Sequence, residues 1–242
     1  MEAIKTVDLT KKYKSFVAVD KLNLSVKKGE IFSLLGTNGA GKTTVVKMLT
    51  CLTQPTSGIV LVGGNSLKDN PMGVKKIIGV SPQETAIAPN LSVKENLELI
   101  CGIHGLSKES SIDKIEELTA RFKLHTILAK KAGKLSGGWQ RRVSIAMALV
   151  SEPEVLFLDE PTLGLDVIAR SELWDLIRLL KGSVTIVLTT HYMDEAEALS
   201  DRIGIIKNGK LLITGTVKDL IEITSTDKLE NAFIMLVKEM EI

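Results

Sequence analysis

GTNGAGKTT, the segment from Gly36 to Thr44, matches the pattern G-x-x-x-x-G-K-[ST], in which a glycine-rich turn holds phosphate groups. The apolar run IFSLL, from Ile31 to Leu35, precedes this turn and fits a buried strand, and an apolar helical pattern follows it. This order suits phosphate binding, because the first backbone N–H groups of a helix attract anions. The segment therefore predicts an α/β fold with a phosphate site where a strand passes into a helix.

Each part of this loop has a chemical task. The glycines let consecutive backbone N–H groups point inward, Lys42 reaches the β- and γ-phosphates, and the Thr43 hydroxyl ligates Mg²⁺. An accidental match is expected in about one chain in a hundred of this size, and the flanking strand and helix make an accident rarer still. We expect the following loop residues to contact a nucleoside triphosphate: Gly36, Thr37, Asn38, Gly39, Ala40, Gly41, Lys42, Thr43 and Thr44.

Other polar residues also follow apolar runs that have the character of strands. Asp159 and Glu160 end VLFLDE, and His191 ends TIVLTTH. Ligands of open α/β sheets bind at the carboxyl ends of strands, so we expect Asp159 to hold Mg²⁺, directly or through water. Glu160 would polarise a water for in-line attack on the γ-phosphate, which His191 would also contact. Gln83 follows IIGVSP, and by position alone it is only a polar loop residue.

Composition narrows the class of protein. The 242 residues are 44% hydrophobic and 25% charged, with a net charge of +2, so no nucleic-acid partner is expected. Cys51 and Cys101 lie in apolar helical patterns without metal-ligand spacing, and we interpret both as buried free thiols. The N-terminal segment has no signal-peptide core, and no apolar run approaches the roughly 20 residues that cross a bilayer. A membrane role would therefore require a partner.

The order of the elements predicts the architecture. Short alternating strands come first, apolar strands with helices follow, and the block from about 85 to 153 is helical. We predict a single domain over 1–242 with a P-loop NTPase core, a mainly parallel sheet, an N-terminal antiparallel β subdomain, an inserted helical subdomain at about 85–153 and a helical tail at about 216–242. Ser92 with Glu95 predicts a capping box at the start of a helix in the helical block. An Asn208–Gly209 turn predicts a hairpin further along the chain. A final amphipathic helix is indicated by Leu229, Phe233, Leu236 and Met240.

The segment KLSGGWQRRVSIAMAL indicates a second anion site. Ser136, Gly137 and Gly138 open a predicted helix, although glycine costs about 1 kcal/mol relative to alanine inside a helix. Two glycines at a helix start suggest that another molecule approaches the backbone closely, and helix N-termini attract anions. One apolar face of this helix is predicted to carry Trp139, Val143, Ala146, Met147 and Val150.

The segments GTNGAGKTT, SPQ, LSGGW, VLFLDEP, GLD and TTH, in this order, resemble the nucleotide-binding domain of ATP-binding cassette (ABC) proteins. The resemblance covers nearly the whole chain, and LSGG together with FLDEP is highly specific. It implies ATP and Mg²⁺ as the bound groups. It also implies that Tyr13 stacks on adenine and that Gln83 touches Mg²⁺ and senses a transmembrane partner.

The resemblance gives the second anion site a partner. In the family two such domains pack head to tail, with each ATP between the phosphate loop of one chain and the signature helix of the other. It implies that Ser136, Gly137 and Gly138 contact the partner's γ-phosphate, that Asp166 lies in a loop crossing the dimer interface, and that His191 is a switch residue. The second chain is expected to be an identical subunit or a close paralogue.

The resemblance also implies a biological role. ATP hydrolysis would power transport through separate integral-membrane permease subunits, with the chain cytoplasmic and peripheral on the inner face of the cell membrane. LSGGWQRR, PTLGLD and LENAFIMLV resemble the ATPase subunits of ABC-2-type exporters, which move drugs, bacteriocins, sodium or polymers outward. Trp139 stands where the family usually has glutamine, and it is interpreted either as a packing residue at the helix start or as a mark of this subfamily.

Two alternatives were weighed against transport. A soluble ABC ATPase of a non-transport assembly machine would have a similar length, and it remains open at this point. A small GTPase or nucleotide-dependent binding module would need an N-K-x-D loop after a strand to read guanine, and the sequence has none.

Overall fold

A computed structural model describes residues 1–238, in which strands and helices alternate along most of the chain. The strands are β1 (Glu2–Tyr13), β2 (Phe16–Leu22), β3 (Ser25–Lys27), β4 (Ile31–Leu35), β5 (Ser57–Val62), β6 (Asn65–Ser66), β7 (Ile78–Ser81), β8 (Val155–Asp159), β9 (Thr185–Thr190), β10 (Arg202–Lys207) and β11 (Lys210–Gly215). The α-helices are α1 (Lys42–Leu49), α2 (Pro71–Lys76), α3 (Val93–Ile103), α4 (Lys108–Arg121), α5 (Gly137–Ala148), α6 (Val167–Arg178), α7 (Met193–Leu199), α8 (Val217–Thr224) and α9 (Leu229–Lys238). Single 3-10 turns cover His125–Ile127 and Ala132–Lys134.

The larger sheet has the strand order β11-β10-β4-β9-β8-β7, and all its neighbouring strands are parallel except β10 and β11. This confirms the predicted mainly parallel core. Strand β4 lies inside the sheet, so all five of its residues are buried, as its apolar sequence predicted. Its two neighbours, β9 and β10, come from the far end of the chain.

The smaller sheet is antiparallel, with the order β2-β1-β5-β6 and β3 paired to β1. The predicted antiparallel N-terminal strands are therefore present. The segment LNLSV divides between two strands, because Leu22 still pairs with Leu9 in β2 while β3 begins at Ser25. Helix α1 contributes Val45 to a buried cluster that also holds residues of both sheets, including Phe157 of β8. The phosphate-loop helix is therefore held between the two sheets.

Helices α3, α4 and α5 lie in the chain between β7 and β8, which are adjacent in the sheet. The predicted capping box at the start of α3 is present, because the side chains of Ser92 and Glu95 each bond the other's backbone. The residues predicted for one apolar face of α5, from Trp139 to Val150, all pack in the same core cluster, but burial is not confined to that face. The helix packs against β7, α3 and α6, so Arg141 and Arg142 are buried as well.

The C-terminal elements cover the other end of the larger sheet. The predicted hairpin is present as β10 and β11, and Asn208 and Gly209 both have the positive φ that a tight turn of this kind requires. In α9, Leu229 and Phe233 are buried against β10 and α8, as predicted. Met240, the last residue of the predicted amphipathic pattern, lies outside the described residues.

The two cysteines differ in placement. Cys101 is buried within α3, as predicted. Cys51 was predicted inside a helix, but α1 has already ended and the C-cap is Thr50. Cys51 has a left-handed φ of 59° and is only half-buried. Both thiols are free. Across residues 1–238, none of the helices is long and apolar enough to cross a membrane.

Candidate functional site

The parallel sheet brings several sequence motifs to one edge. In the register of the sheet, Leu35 at the end of β4 pairs with Thr190 at the end of β9. Asp159 at the end of β8 pairs with Thr189, and β7 ends beside β8 at Ser81. The carboxyl ends of these strands are therefore level, which is where open α/β sheets bind ligands.

A cleft of about 530 Å³ opens at this edge. Its lining residues are Phe16, Ala18, Asn38, Gly39, Ala40, Gly41, Lys42, Thr43, Thr44, Gln83, Glu160, Leu163 and His191. Most of the residues predicted to contact the triphosphate thus meet in one place, although they are far apart in sequence. A larger groove of about 740 Å³ lies elsewhere, beside Met72 and Lys114, and none of these motif residues lines it.

The phosphate loop presents backbone N–H groups to the cleft. Gly39 and Gly41 have φ values of 79° and 108°, which favour glycine, and a Cβ on Gly41 would lie 2.7 Å from the Ala18 carbonyl oxygen. No side chain caps α1, and its first turn has no acidic residue. The first N–H groups of a helix lack partners within the helix, so this end is suited to an anion. The backbone N–H of Gly209 donates to the Ala40 carbonyl at 2.8 Å and braces the loop.

Lys42 places its ammonium group under the loop. The side chain is 5% exposed, and Nζ donates to the carbonyl oxygens of Gly36 at 2.8 Å and Thr37 at 3.1 Å. The Glu160 Oε1 atom lies 3.6 Å from the same nitrogen. Burial lowers the pKa of Lys42, and the charges of Glu160 and Asp159 oppose that shift. Further negative charge in the cleft would stabilise the ammonium form.

Oxygen atoms suited to Mg²⁺ lie next to the loop. Asp159 is buried, and its Oδ1 accepts from the hydroxyl of Thr189 at 2.5 Å and from that of Thr43 at 3.4 Å. Gln83 lies on the cleft wall and could add an amide oxygen. Mg²⁺ takes oxygen ligands, usually one or two carboxylates plus phosphates, and this set fits that preference. No cluster of three or more His, Cys, Asp or Glu side chains with metal-site geometry occurs among residues 1–238.

Glu160 and His191 form a pair at the cleft floor. The Glu160 Oε1 atom is 3.3 Å from His191 Nδ1, and the carboxylate is 11% exposed. Glu160 has a left-handed φ of 48°, which costs about 1–3 kcal/mol for a residue other than glycine. Its backbone N–H donates to both the carbonyl and the hydroxyl of Thr189 at 3.1 Å, which holds this conformation. The strained backbone aims the carboxylate at Lys42 and His191.

The signature segment does not line this cleft. Ser136 and Gly137 are exposed at the start of α5, and the Ser136 hydroxyl does not cap its helix. Gly138 has a packing reason to be glycine, because a Cβ there would lie 3.0 Å from Cβ of Ala169 in α6. For Gly137 an added Cβ would meet only Leu165, at an ordinary 3.6 Å. The structure therefore leaves Gly137, and not Gly138, without an internal explanation.

Asp166 and Trp139 also have partners within the chain. Asp166 is the N-cap of α6 and accepts from the backbone N–H of Ala169 at 2.9 Å. Trp139 is half-buried against the core, and the Arg142 guanidinium lies 4.5 Å from its ring centroid. This contact supports the interpretation of Trp139 as a packing residue at the helix start.

The aromatic residues of the first hairpin are placed differently from each other. Tyr13, predicted to stack on adenine, is 45% exposed and lies beneath the Lys11 ammonium, 5.0 Å from the ring centroid. It is not on the cleft wall, whereas its pairing partner Phe16 is, with 63% of its surface exposed. Sequence reasoning missed Phe16, because nothing local in the sequence tells which of the two aromatics of the hairpin faces the cleft.

Two further residues near the cleft were missed. Thr189 holds both Asp159 and Glu160, but β9 contains three threonines, and nothing in its sequence singles out this one. Arg141 donates to the backbone on either side of Gln83, and it was not among the residues singled out in the sequence. The other two histidines, His104 and His125, are exposed and do not line the cleft.

Comparison with known proteins agrees with this geometry. The family described as ABC transporter matches residues 19–163. YbhF of Escherichia coli, a probable multidrug ABC transporter ATP-binding protein, is 40% identical over 98% of this chain, which covers 42% of YbhF. The doxorubicin resistance ATP-binding protein DrrA of Mycobacterium tuberculosis is 42% identical over 84% of this chain, which covers 62% of DrrA. The chain thus spans about two fifths to three fifths of these relatives' lengths.

A solved structure extends the comparison to the fold. The ATP-binding cassette MJ0796, a dimer in a post-hydrolysis state bound to ADP and Pi, superposes with a TM-score of 0.78 at 30% identity. The match covers 88% of this chain and 98% of that one. Since the family match covers more than half of the sequence and the cassette is matched nearly end to end, the chain belongs to the ABC transporter family, as one of its ATPase cassettes.

Proposed function

We propose that the chain hydrolyses ATP in a Mg²⁺-dependent reaction, at sites completed by a second cassette, and that this reaction drives export through separate membrane subunits. The observation that carries the proposal is the convergence of Lys42, Thr43, Asp159, Glu160 and His191 at one edge of the sheet. The proposed roles of these residues follow from their contacts.

The phosphate loop binds the triphosphate. Its glycine-rich backbone and the uncapped start of α1 supply N–H donors, and Lys42 supplies the positive charge. The two carbonyl contacts of Lys42 fix its ammonium beneath the loop, so the charge is already in place for the β- and γ-phosphates. This arrangement recognises phosphate and does not distinguish one base from another.

Thr43, Asp159 and Gln83 are the residues that would hold Mg²⁺. When bound, this ion neutralises charge that develops on the phosphate oxygens. Thr189 keeps the Asp159 carboxylate in place through its hydroxyl. The charge of Asp159 also opposes the lowering of the Lys42 pKa by burial.

Glu160 is the residue that would polarise the attacking water. Its carboxylate is held between Lys42 and His191, and its backbone is fixed by Thr189. His191 is positioned to contact the γ-phosphate from the same side, while its Nδ1 faces Glu160. General acid–base groups of this kind typically contribute about 10²–10⁴-fold to a rate.

A second cassette would complete the site. Ser136 and Gly137 lie outside the chain's own cleft and are exposed, with uncapped N–H groups suited to an anion. We propose that they contact the γ-phosphate held by the partner's loop, with Asp166 at the interface between the chains. MJ0796, the solved cassette at 30% identity, is itself a dimer.

Export is proposed from the relatives. DrrA is described as a doxorubicin resistance protein and YbhF as a probable multidrug transporter component. A cassette of this type would act at the cytoplasmic face of a membrane, bound to permease subunits that recognise the cargo. Co-purification of the chain with an integral-membrane subunit, and ATPase stimulation by cargo in that complex, would test this step.

The hydrolytic role is tested with Glu160→Gln. This change keeps the shape and a hydrogen-bonding group but removes the carboxylate, so phosphate release should fall at least about 100-fold while ATP binding is retained. ATP should then hold the variant as a stable dimer on a sizing column.

Glu154→Gln is the matched control. Glu154 lies just before the opposite end of the same strand, β8, pairs with surface Lys28 and is remote from the cleft. Its ATPase activity should stay within about twofold of the wild type. Retention of more than half the activity by Glu160→Gln would contradict the proposed role.

A further inference from the structure

One face of helix α5 is fitted closely to strand β7. The hydroxyls of Ser144 and Ser81 are buried and lie 2.9 Å apart. Further along the same face, a Cβ on Gly79 would lie 2.2 Å from the carbonyl oxygen of Ala148, so a larger side chain there would force the helix away from the strand. Helix α5 and the end of β7 therefore move together.

Arg141 extends this contact into the loop that follows β7. It lies one turn before Ser144 and is 5% exposed. Its Nη1 donates to the carbonyl oxygen of Pro82 at 2.5 Å, and its Nη2 donates to that of Gln83 at 2.5 Å. These carbonyls belong to the two peptide groups on either side of the Gln83 Cα. One planar guanidinium therefore fixes both backbone angles of Gln83, and with them the direction of its side chain.

No ion pair in the described part of the chain accounts for the burial of the Arg141 guanidinium. No carboxylate oxygen in residues 1–238 forms a salt bridge with Arg141. Burial lowers the pKa of the guanidinium, and the more distant charges of Asp159 and Glu195 oppose the shift. Arginine nevertheless stays protonated in proteins. The buried guanidinium of Arg141 thus donates to the two backbone carbonyls on either side of the Gln83 Cα.

We propose that Arg141 is a positioning residue that sets the direction in which Gln83 enters the cleft and couples Gln83 to the helix that begins at Ser136 and Gly137. The proposal rests on the proposed role of Gln83 at Mg²⁺. Because α5 is rigid, the element that offers Ser136 to a second chain also holds Gln83 in its own cleft. A displacement of α5 by the partner's nucleotide is therefore transmitted to Gln83.

The first test uses Arg141→Lys, which keeps the charge but loses the planar pair of donors. The Mg²⁺ concentration that gives half-maximal ATPase activity should rise at least about fivefold, with a fall in kcat and less than a twofold change in the KM for ATP at saturating Mg²⁺. Ser144→Ala is the matched control on the same face, because it removes a helix–strand hydrogen bond without touching Gln83. It should leave the Mg²⁺ requirement unchanged even if its melting temperature falls.

A double-mutant cycle separates positioning from general stability. If Arg141 acts through Gln83, then Arg141→Lys should change the Mg²⁺ requirement of Gln83→Ala by less than about twofold. Effects that multiply in the double variant would overturn the proposal, because they would mean that Arg141 acts elsewhere. An unchanged Mg²⁺ requirement in Gln83→Ala would overturn it as well, while leaving the ATPase function standing.

A second readout needs neither nucleotide nor activity. Glu84 is exposed just after the clamped peptide, so a glutamate-specific protease should cleave after it at least about fivefold faster in Arg141→Lys than in the wild type. Cleavage in Ser144→Ala should follow the wild type. An unchanged cleavage rate would overturn the proposal that Arg141 holds the backbone at Gln83, even if activity fell. If the wild type had no ATPase activity and Arg141→Lys were still cleaved faster, the proposed function would be refuted, while the role of Arg141 at Gln83 would be supported. If circular dichroism shows that Arg141→Lys does not fold, Arg141→Gln replaces it, because glutamine retains a donor for one carbonyl. The same assays and the same outcomes then decide the proposal.

Discussion

Helices α1 and α5 begin in similar ways but in different surroundings. Neither has a side-chain cap or an acidic residue in its first turn, and both have glycine at the start. At α1 the chain encloses the helix end with a buried lysine and the carboxylates of neighbouring strands. At α5, Ser136 and Gly137 face solvent. The α1 site is thus furnished mostly by its own chain, whereas α5 offers only N–H and hydroxyl donors, and under the proposed function the charges would come from a second cassette.

The largest expected effect comes from disabling the two helix ends separately. Lys42→Ala removes the cation at α1 and should weaken ATP binding at least about 100-fold by calorimetry, since charge-assisted hydrogen bonds to phosphate are among the strongest. Ser136→Arg should block α5 by bulk and leave binding to the chain's own loop within about threefold. Both changes should abolish ATP-driven dimerisation of the chain with itself in a Glu160→Gln background.

Mixing the two variants then tests whether the sites form between chains. In a mixed dimer one composite site loses both halves and the other keeps both, so ATP-driven dimerisation should return in part. The separate variants are the controls for this measurement. A Glu160→Gln chain that forms no ATP-dependent dimer, either alone or in the mixed pair, would show that α5 is not half of a shared site.

A smaller loss of ATP affinity is expected from substitutions next to the adenine base. Phe16 lies on the cleft wall and Tyr13 pairs with it at the end of the hairpin, so both are candidates for stacking on adenine. Stacking on an aromatic ring is worth about 1–3 kcal/mol, so alanine in place of the residue that stacks should weaken the affinity for ATP and GTP alike by about 5- to 150-fold. Tryptophan at that position should preserve both affinities.

Comparison of Tyr13→Ala with Phe16→Ala by calorimetry decides between the two aromatics. Val17→Ala serves as the control, because Val17 is a neighbouring exposed residue of the same hairpin without an aromatic ring. If neither aromatic substitution changes affinity, the hairpin does not contact the base.

The smallest effect is expected for Trp139→Gln at the start of α5. Trp139 packs against the core and under Arg142, while the Ser-Gly-Gly backbone ahead of it is independent of that packing. The variant should fold and keep ATPase activity within about tenfold, a barrier change near 1.4 kcal/mol. Complete loss of activity with an intact fold would assign the tryptophan a direct part in the second half-site.

Patterns local in sequence predicted most of this architecture. The run IFSLL corresponds to β4 residue for residue, because a strand buried on both faces has to be apolar throughout. The pairs Ser92 with Glu95 and Asn208 with Gly209 predicted a helix start and a turn, since capping and positive φ depend on a few adjacent residues. The positions of Asp159 and His191 at strand ends were likewise readable once the strands were recognised.

The features that sequence could not supply depend on distant contacts. The sequence gives no sign that Arg141 is buried, because arginine is usually exposed, and only the packing of α5 against β7 and α6 buries it. Gly138 was assigned to ligand approach, whereas Ala169 in the next helix accounts for it. Phe16 was passed over because no local pattern tells which hairpin aromatic faces the cleft.

The placement of β4 also bears on how the protein is made. The strand that precedes the phosphate loop pairs on both sides with strands from the far end of the chain, and Gly209 donates to the loop itself. During synthesis the phosphate loop is therefore made well before β9, β10 and Gly209, which support it. Ribosomes add roughly 5–20 residues per second, so the loop lacks these contacts for many seconds. We therefore expect a nascent chain to bind nucleotide only after β10 and the turn at Gly209 have been made.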